Sequence, residues 1–469
     1  MSKLYQINPK DNVAIELDPN SNIKLGHKVA LKDIHKGEYV FKYGEIIGKA
    51  SNDIKKGDWV HSHNLVSHLD ETFTYKYNPE RIVLNKAKGT FYGYKRSSRR
   101  AGIRNDIYII PTVGCVNSVV KEIEKQSQQY KTGSIDSIFA LTHQFGCSQL
   151  GDDQENIARL LASIALNPNA SYVLFVGLGC ENNSLKGIKA LLKPVLKDKN
   201  YIEYYNCQEV DDEVAYGVNI IKKFIEQASK LEREEIDLNE LCIGLKCGGS
   251  DAFSGITANP TVGKVSDMVI SLGGSAILTE VPEMFGAEQL LMNKCKDELV
   301  FKKYKNMIEA FKKYYLELGF PVYENPSPGN KEGGITTLEE KSLGCVTKAG
   351  SSQIVDVLKY GELVKNSGLN VLDGPGNDLI AATSLAASGC QLVLFTTGRG
   401  TPFATFVPTI KISTNKEIAK RKTNWIDFDA SCVDEKSLFD LVIKTASGEY
   451  KTKQEDNHEM AFFKKGVTL

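Results

Sequence analysis

Apolar and polar positions along this chain repeat with two different periods, and the change of period divides it. Between residues 11 and 70 short runs alternate as strands do: Val13-Ala14-Ile15-Glu16-Leu17, Lys28-Val29-Ala30-Leu31 and Tyr39-Val40-Phe41. Turn signals punctuate them, at Asp18-Pro19-Asn20, His35-Lys36-Gly37-Glu38 and Lys55-Lys56-Gly57-Asp58. No long helical period interrupts the pattern, which predicts one small β domain over residues 1–72. Residues 73–92 hold few periodic apolar positions and read as a linker.

From residue 93 the pattern changes. Strand-like runs at 106–111, 137–141, 172–177, 241–245, 275–279, 368–372 and 392–396 alternate with helical periods at 118–130, 154–166, 208–235, 261–272, 294–318 and 379–388. Such alternation predicts βαβ units and a mostly parallel sheet. The fold class expected is therefore α/β: a small amino-terminal β domain, then two Rossmann-like portions over 93–235 and 236–469. Asn325-Pro326-Ser327-Pro328-Gly329-Asn330 reads as a loop, and the tail from Lys451 as a charged segment without pattern.

Composition narrows the function classes. The 469 residues carry 58 basic and 58 acidic side chains. A net charge of zero argues against affinity built on phosphate neutralisation, so no nucleic-acid partner is expected. The longest apolar run, Tyr172-Val173-Leu174-Phe175-Val176, falls far short of the ~18 residues of a membrane span. The first residues have no signal-peptide core, so the cytoplasm is the expected compartment. The ten cysteines then sit in a reducing environment, with no CxxC pair. Several lie in glycine-rich turns, as Gly114-Cys115, Gly146-Cys147, Gly179-Cys180, Cys247-Gly248-Gly249 and Gly344-Cys345.

Ligands of α/β sheets sit where strand ends meet helix starts. Four loops of that kind carry Ser, Asn, Thr, Lys and Arg donors: 141–149, 177–183, 246–251 and 396–401. Glycine-permitted turns with exposed N–H groups suit a small anion. No P-loop or dinucleotide fingerprint is present, and Asp373-Gly374-Pro375-Gly376-Asn377-Asp378 reads as a turn. Five of the seven histidines fall in the β domain. His61 and His63, two apart on a strand, would share a face, and with His27 would make a nitrogen site for a divalent metal or else a solvated edge. His143, just past a strand, is placed either for acid–base work or for packing. Lys246 and Lys341 are comparable, provided that burial or a neighbouring cation depresses their pKa.

Nine ordered strings, among them GHKVAL (26–31), GDWVHSHN (57–64), GYKRSSRRAGIRN (93–105), LTHQFGCSQLGDD (141–153), LKCGGSDAFSGITANPTVG (245–263) and FTTGRGTPF (395–403), resemble the altronate/galactarate dehydratase family of sugar-acid hydro-lyases. The resemblance runs from about residue 10 to 430, and VHSHN is the form seen in the altronate branch. It implies an amino-terminal SAF-type β domain and two α/β portions. It also implies loss of water from a sugar acid to give a 2-keto-3-deoxy acid, with a divalent metal, iron(II) or manganese. One departure stands out. Where the family pattern has Asp-Gly, this chain has Ser97-Ser98 or its neighbour, and if the lost Asp touches substrate a different preferred acid becomes an open expectation.

These residue types fit such a reaction. A proton beside a carboxylate is weakly acidic, so the developing charge needs a metal or cations. His143 and Lys246 are the expected catalytic residues. Arg104, Asn105, Ser250, Asp251, Thr397 and Arg399 are expected to hold the substrate's carboxylate and hydroxyls, and His27, His61 and His63 the metal. The partner expected is a small sugar acid, with no membrane and with a homo-oligomer left open. Three other readings remain: galactarate or sulfolactate as the substrate, an iron–sulfur hydro-lyase with cysteine ligands, and a sugar-acid sensor without turnover.

Overall fold

The computed structural model describes residues 3–69, 74–80, 82–196, 200–322, 325–432 and 434–468. Its first part is all β. Strands β1 (Leu4–Tyr5), β2 (Val13–Glu16), β3 (Lys28–Ala30), β4 (Tyr39–Lys42), β5 (Glu45–Ala50), β6 (Trp59–Val60) and β7 (Leu65–Val66) form two antiparallel sheets, ordered β1-β2-β3-β6 and β4-β5-β7. Inward positions such as Val13, Ala30, Val40, Ile47 and Leu65 join one core.

The expected boundary at 72–73 lies outside the described residues. The described part of the segment read as a linker is strapped to the carboxy-terminal portion. Tyr75 donates to Glu288 at 3.1 Å, Tyr77 packs on Phe301, and the Glu80 N–H bonds the Asn293 carbonyl at 2.7 Å. It ends in β8 (Thr90–Gly93).

The middle portion holds β9 (Asp106–Pro111), β10 (Ile138–Ala140), β11 (Ala170–Gly177) and β12 (Ile202–Asn206) in one parallel sheet, ordered β10-β9-β11-β12. Every residue of β9 is buried, as expected where helices cover both faces of a parallel sheet. Helices Asn117–Ser127 and Glu213–Ala228 pack on one face through Val120, Ile123, Ile221 and Phe224. The second is shorter than the period over 208–235 suggested. Asp212 caps its start by accepting from the Ala215 N–H, and its last stretch leaves the helix as strand β13 (Glu234–Asp237), paired with β8.

The carboxy-terminal portion is a seven-stranded parallel sheet. Its strands are β14 (Cys242–Cys247), β15 (Ser275–Leu278), β16 (Ile354–Leu358), β17 (Gly368–Leu372), β18 (Leu392–Thr397), β19 (Thr409–Ser413) and β20 (Phe428–Asp429), ordered β16-β17-β15-β14-β18-β19-β20. The two α/β portions share a core. Leu160 and Ile164 of helix Asp152–Ala165 join Ala382, Leu385 and Ala386 of helix Asp378–Ala387. Asn167 and Asn169 stitch the seam by donating to the carbonyls of Ala386, Cys390 and Gln391 at 2.8–3.0 Å. Among the described residues no helix is long and apolar enough to cross a membrane.

The tail corrects its expectation as a patternless segment. Glu455 forms two charge-assisted bonds with Arg104, at 2.6 and 3.0 Å. His458 stacks on Phe139 with ring centroids 3.7 Å apart, and Phe462 packs beside His143. Asp153 accepts from the Lys465 and Gly466 N–H groups. Breaking a buried ion pair from one side strands the other charge. Glu455→Ala is therefore expected to lower stability by about 3 kcal/mol. Urea unfolding of the variant beside wild type measures this, and an unchanged midpoint contradicts it.

Candidate active site

The carboxyl edge of the seven-stranded sheet collects buried charges from four places. Lys246 and Cys247 end β14. Glu280 and Glu283 follow β15, Asp378 opens the helix after β17, and helix Leu338–Val346 with the turn behind it brings Lys341, Cys345 and Lys348. Thr337 starts that helix by accepting from the Glu340 N–H.

Lys246 contacts Glu280 at very short range and Asp378 at 3.0 Å, and Lys348 reaches the other Glu280 oxygen at 2.5 Å. Lys341 pairs with Glu283 at 2.9 Å and donates to Asn325 at 2.9 Å. Burial works against the Lys246 charge, but the carboxylates of Glu280 and Asp378 outweigh it and hold the ammonium above its ordinary pKa. Burial likewise opposes the Glu283 carboxylate. Lys341, Lys246 and Lys348 overcome it and bring that pKa to about 2. Glu280 sits at φ 76°, a left-handed conformation that a residue other than glycine adopts at a cost. Its two lysine partners hold it there.

Cys247 and Cys345 face each other at 3.2 Å, and Glu283 Oε2 lies 3.4 and 3.1 Å from their sulfurs. Among the described residues, these three form the one group of His, Cys, Asp or Glu whose ligand atoms gather within 4.8 Å. The Cys345 S–H steadies a thiolate on Cys247 and lowers its pKa. Two sulfurs and a carboxylate oxygen suit a soft or borderline divalent metal. The charges fit as well. Lys246, Lys341 and Lys348 balance Glu280, Glu283 and Asp378, so two deprotonated thiols and one divalent cation leave the group neutral. Glu283 and Lys341 also reach a cleft of about 650 Å³, whose walls include Tyr314, Phe320, Ser327 and Asn377.

The expected site residues divide into three sets. Lys246 is in the charge cluster. Ser250, Asp251, Thr397 and Arg399 surround the ends of β14 and β18. Ser250 Oγ is 3.5 Å from Cys247 Sγ. Asp251 accepts from Thr414 and Asn415 at 2.9 and 3.1 Å. Thr397 accepts from the Gly400 N–H, and the half-exposed Arg399 bonds Glu332 and the Gly329 carbonyl.

Arg104 and Asn105 are corrected by their partners. Arg104 spends its donors on Glu455 and on the carbonyls of Ile103, Thr445 and Tyr450, and Asn105 bonds Ser134 and Ala228. Both are buried stitching residues. The stretch around Ser97-Ser98 is not buried, Ser97 being exposed, but it also stitches, as Arg96 and Arg99 donate to the carbonyls of Pro168 and Asn167. His143 is also fully engaged. Its Nε2 donates to the Pro111 carbonyl at 2.8 Å, and its Nδ1 accepts from the Phe145 N–H at 3.1 Å. Burial takes its pKa down to about 4, so it is a neutral packing residue rather than an acid–base group.

The histidine metal site is not formed. His27 Nδ1 accepts from Trp59, and its Nε2 faces the Glu332 carbonyl at 3.3 Å. His61 Nε2 bonds the Lys331 carbonyl at 2.8 Å, and His63 is exposed beside Trp59. β6 is only two residues long, so His61 and His63 lie in the turn after it instead of along one strand face. His27 and His61 instead dock the β domain on residues 331–332. Glu280, Glu283, Lys348 and Asp378 were missed by sequence reasoning. For Glu280 and Glu283, acidic residues soon after a strand were the one available signal, and Lys348 and Asp378 had none of that kind.

The docking is sealed by charge. Lys28 and Lys42 both contact Glu340 at 2.8 Å, and all three are buried. Burial alone would raise the Glu340 pKa, but the two ammonium groups bring it to about 2.

This architecture, an antiparallel β domain clamped on a parallel α/β body with its charges at the carboxyl edge, is that of an α/β enzyme. Family models agree along the chain. The altronate/galactarate dehydratase SAF domain matches residues 4–68, the D-galactarate dehydratase/altronate hydrolase second domain 93–229, and the D-galactarate/altronate dehydratase C-terminal domain 238–468. Altronate dehydratase of Bacillus subtilis is 48% identical over 474 residues, covering 97% of this chain and 94% of its own. That of Escherichia coli is 46% identical over 472 residues, covering 98% and 94%. Galactarate dehydratase (L-threo-forming) of Escherichia coli is 32% identical over 492 residues, covering 95% and 93%. The chain belongs to the altronate/galactarate dehydratase family of hydro-lyases.

A carboxylate whose folded pKa is depressed stabilises the fold above its unfolded value and loses that contribution as pH falls through the folded one. For Glu340 the window runs from about 4.5 down to about 2. At neutral pH Glu340→Gln is expected to cost about 3–5 kcal/mol, because two buried ammonium groups lose their counter-charge. The gap between variant and wild type should close on acidification through that window. Urea midpoints measured across it test this, and a gap independent of pH contradicts it.

Proposed function

We propose that this chain removes water from a sugar acid, D-altronate, to give 2-keto-3-deoxy-D-gluconate. The observation that carries the reading is the cluster of buried ammonium groups beside a metal-fitting donor set at the foot of a solvent-facing cleft. The relatives' printed activities supply the substrate.

The reaction takes the proton from C2, next to the carboxylate, and expels the C3 hydroxyl as water. The enol left behind becomes the 2-keto acid. Negative charge grows on the carboxylate as the proton leaves, and preorganised cations lower that barrier most. Lys341, at the cleft, binds the substrate carboxylate, and Lys246 adds its charge from behind. Neither is a base, because their carboxylate partners keep both protonated. Asp378 is the proton acceptor in this reading. Its side chain is about a third exposed and lies 3.0 Å from Lys246, which orients it. In this reading Ser250, Asp251, Thr397 and Arg399, around the ends of β14 and β18, select hydroxyls.

Cys247, Glu283 and Cys345 would hold the divalent metal, which supplies Lewis acidity towards the substrate's oxygens. Thiol donors favour iron(II) over manganese. They also require reducing surroundings, in keeping with a cytoplasmic enzyme.

Turnover of D-altronate, D-galactarate and sulfolactate, read as 2-keto acid or sulfite, tests the substrate. Altronate should dominate after anaerobic loading with iron(II), and preference for another acid overturns the substrate assignment. Asp378→Asn and Lys341→Met should each cut kcat at least ~10²-fold with the fold intact. A smaller loss for Asp378→Asn removes its role as base.

A further inference from the structure

The middle portion carries a second set of cysteines that this reading does not use. Free cysteines are ordinarily among the most buried residues. Cys242, Cys247, Cys295, Cys345 and Cys390 obey that rule, whereas Cys115, Cys147 and Cys180 are exposed. The exposed three are not scattered. Cys115 follows β9, Cys147 follows β10 and Cys180 follows β11, and these are three adjacent strands of one parallel sheet. Neighbouring strands lie about 4.8 Å apart, so the three cysteine loops leave one edge of the sheet side by side.

The loops that bear them interlock. The Gly114 N–H bonds the Phe145 carbonyl at 2.9 Å, the Asn183 N–H bonds Gly146 at 3.0 Å, and Asn182 accepts from the Ser148 N–H at 3.0 Å. The glycine before each of two cysteines is required by this contact. A Cβ on Gly146 would lie 2.1 Å from the Thr112 carbonyl oxygen, and one on Gly114 would lie 2.9 Å from that of His143. Each cysteine loop is thus pressed against its neighbour. Two of the sulfurs also receive weak hydrogen bonds, Cys147 from Ser148 at 3.7 Å and Cys180 from Gln208 Nε2 at 3.8 Å.

We infer that Cys115, Cys147 and Cys180 form a three-thiolate site for an iron–sulfur cluster, separate from the metal site at Cys247, Glu283 and Cys345. The spacing favours a cluster over a single ion. Donor atoms around one ion crowd together, and among the described residues only the Cys247 group gathers within 4.8 Å. Ligands of a cluster stand further apart, because a layer of iron and sulfide lies between them. Donors to ligand sulfur, such as Ser148 and Gln208, are among the features that set a cluster's potential. Cys207, at the end of β12, is not a fourth ligand in this assignment. Burial pushes its thiol up to about 11, and it is less exposed than the other three. One iron would then lack a protein thiolate. Assembly of a four-iron cluster takes two ferrous ions, two ferric ions and four sulfide ions from solution, with no net electron transfer, and each thiol releases one proton to water.

The test uses the full chain, purified without oxygen and incubated with equal amounts of ferrous and ferric iron and with sulfide. Wild type should turn brown and retain acid-labile sulfide after desalting. Cys115→Ser, Cys147→Ser and Cys180→Ser should each lose most of that sulfide, while Cys432→Ser, at another exposed position, keeps it. Cys345→Ser should also keep its sulfide, which separates this site from the one proposed for catalysis. A readout without mutation guards against misfolding. Loading should protect Cys115, Cys147 and Cys180, but not Cys432, from alkylation read by peptide mass spectrometry. Sulfide-free wild type, or equal alkylation of all four with and without loading, overturns the assignment.

Discussion

A charge with no access to water must find its opposite within the protein, and helix Leu338–Val346 is where that constraint governs this molecule. All nine of its residues are buried, and three in succession, Glu339, Glu340 and Lys341, are ionisable. Glu339 accepts from Ser67 and the His68 N–H, and Glu340 receives Lys28 and Lys42. Lys341 points the other way, to Glu283. The helix is therefore fixed from both sides. The β domain holds its two acids, and the sheet's carboxyl edge holds its base and its cysteine.

That arrangement explains why a small β domain accompanies an α/β body that already has its own core. The ion pairs of the charge cluster all lie between residues of the α/β body. The β domain brings the counter-charges that let a highly ionised helix be buried, and so fixes where Lys341 and Cys345 sit. The histidines at the same interface serve docking too, since His27 and His61 are neutral donors to backbone carbonyls. Burial, with the neighbouring His61 and Lys28, brings His27 to about 4, so the contact stays uncharged at neutral pH.

The fold was largely legible because its signals are local. Alternating strand and helix periods from residue 106 onward mark most of the parallel strands, and β14, β15, β17 and β18 lie where the apolar runs stand. β12, β16 and β19 were missed. β12 and β16 carry Glu203 and Asp356 within short runs, and β19 carries Lys411, so their patterns are diluted. The site was legible only where a strand end announces it, as at Lys246, Ser250 and Asp251. Arg104 and His143 have the chemistry of site residues, but their partners come from the tail or from backbone carbonyls, which no spacing rule reveals. Glu283 and Cys345 are 62 positions apart and meet only through the fold.

The seam between tail and middle portion bears on the order in which the chain is made. Arg104, Phe139 and His143 emerge from a ribosome more than 300 residues before Glu455, His458 and Phe462. Until those late residues arrive, the Arg104 guanidinium lacks the carboxylate it bonds directly and the Phe139 ring lacks the imidazole stacked on one face. Domains generally fold as they emerge, amino-terminal first. Here the last contacts of the middle portion form only once residues 455–462 have emerged. A chain stopped at residue 450 would leave the His143 ring without Phe462 and the Phe139 ring without His458.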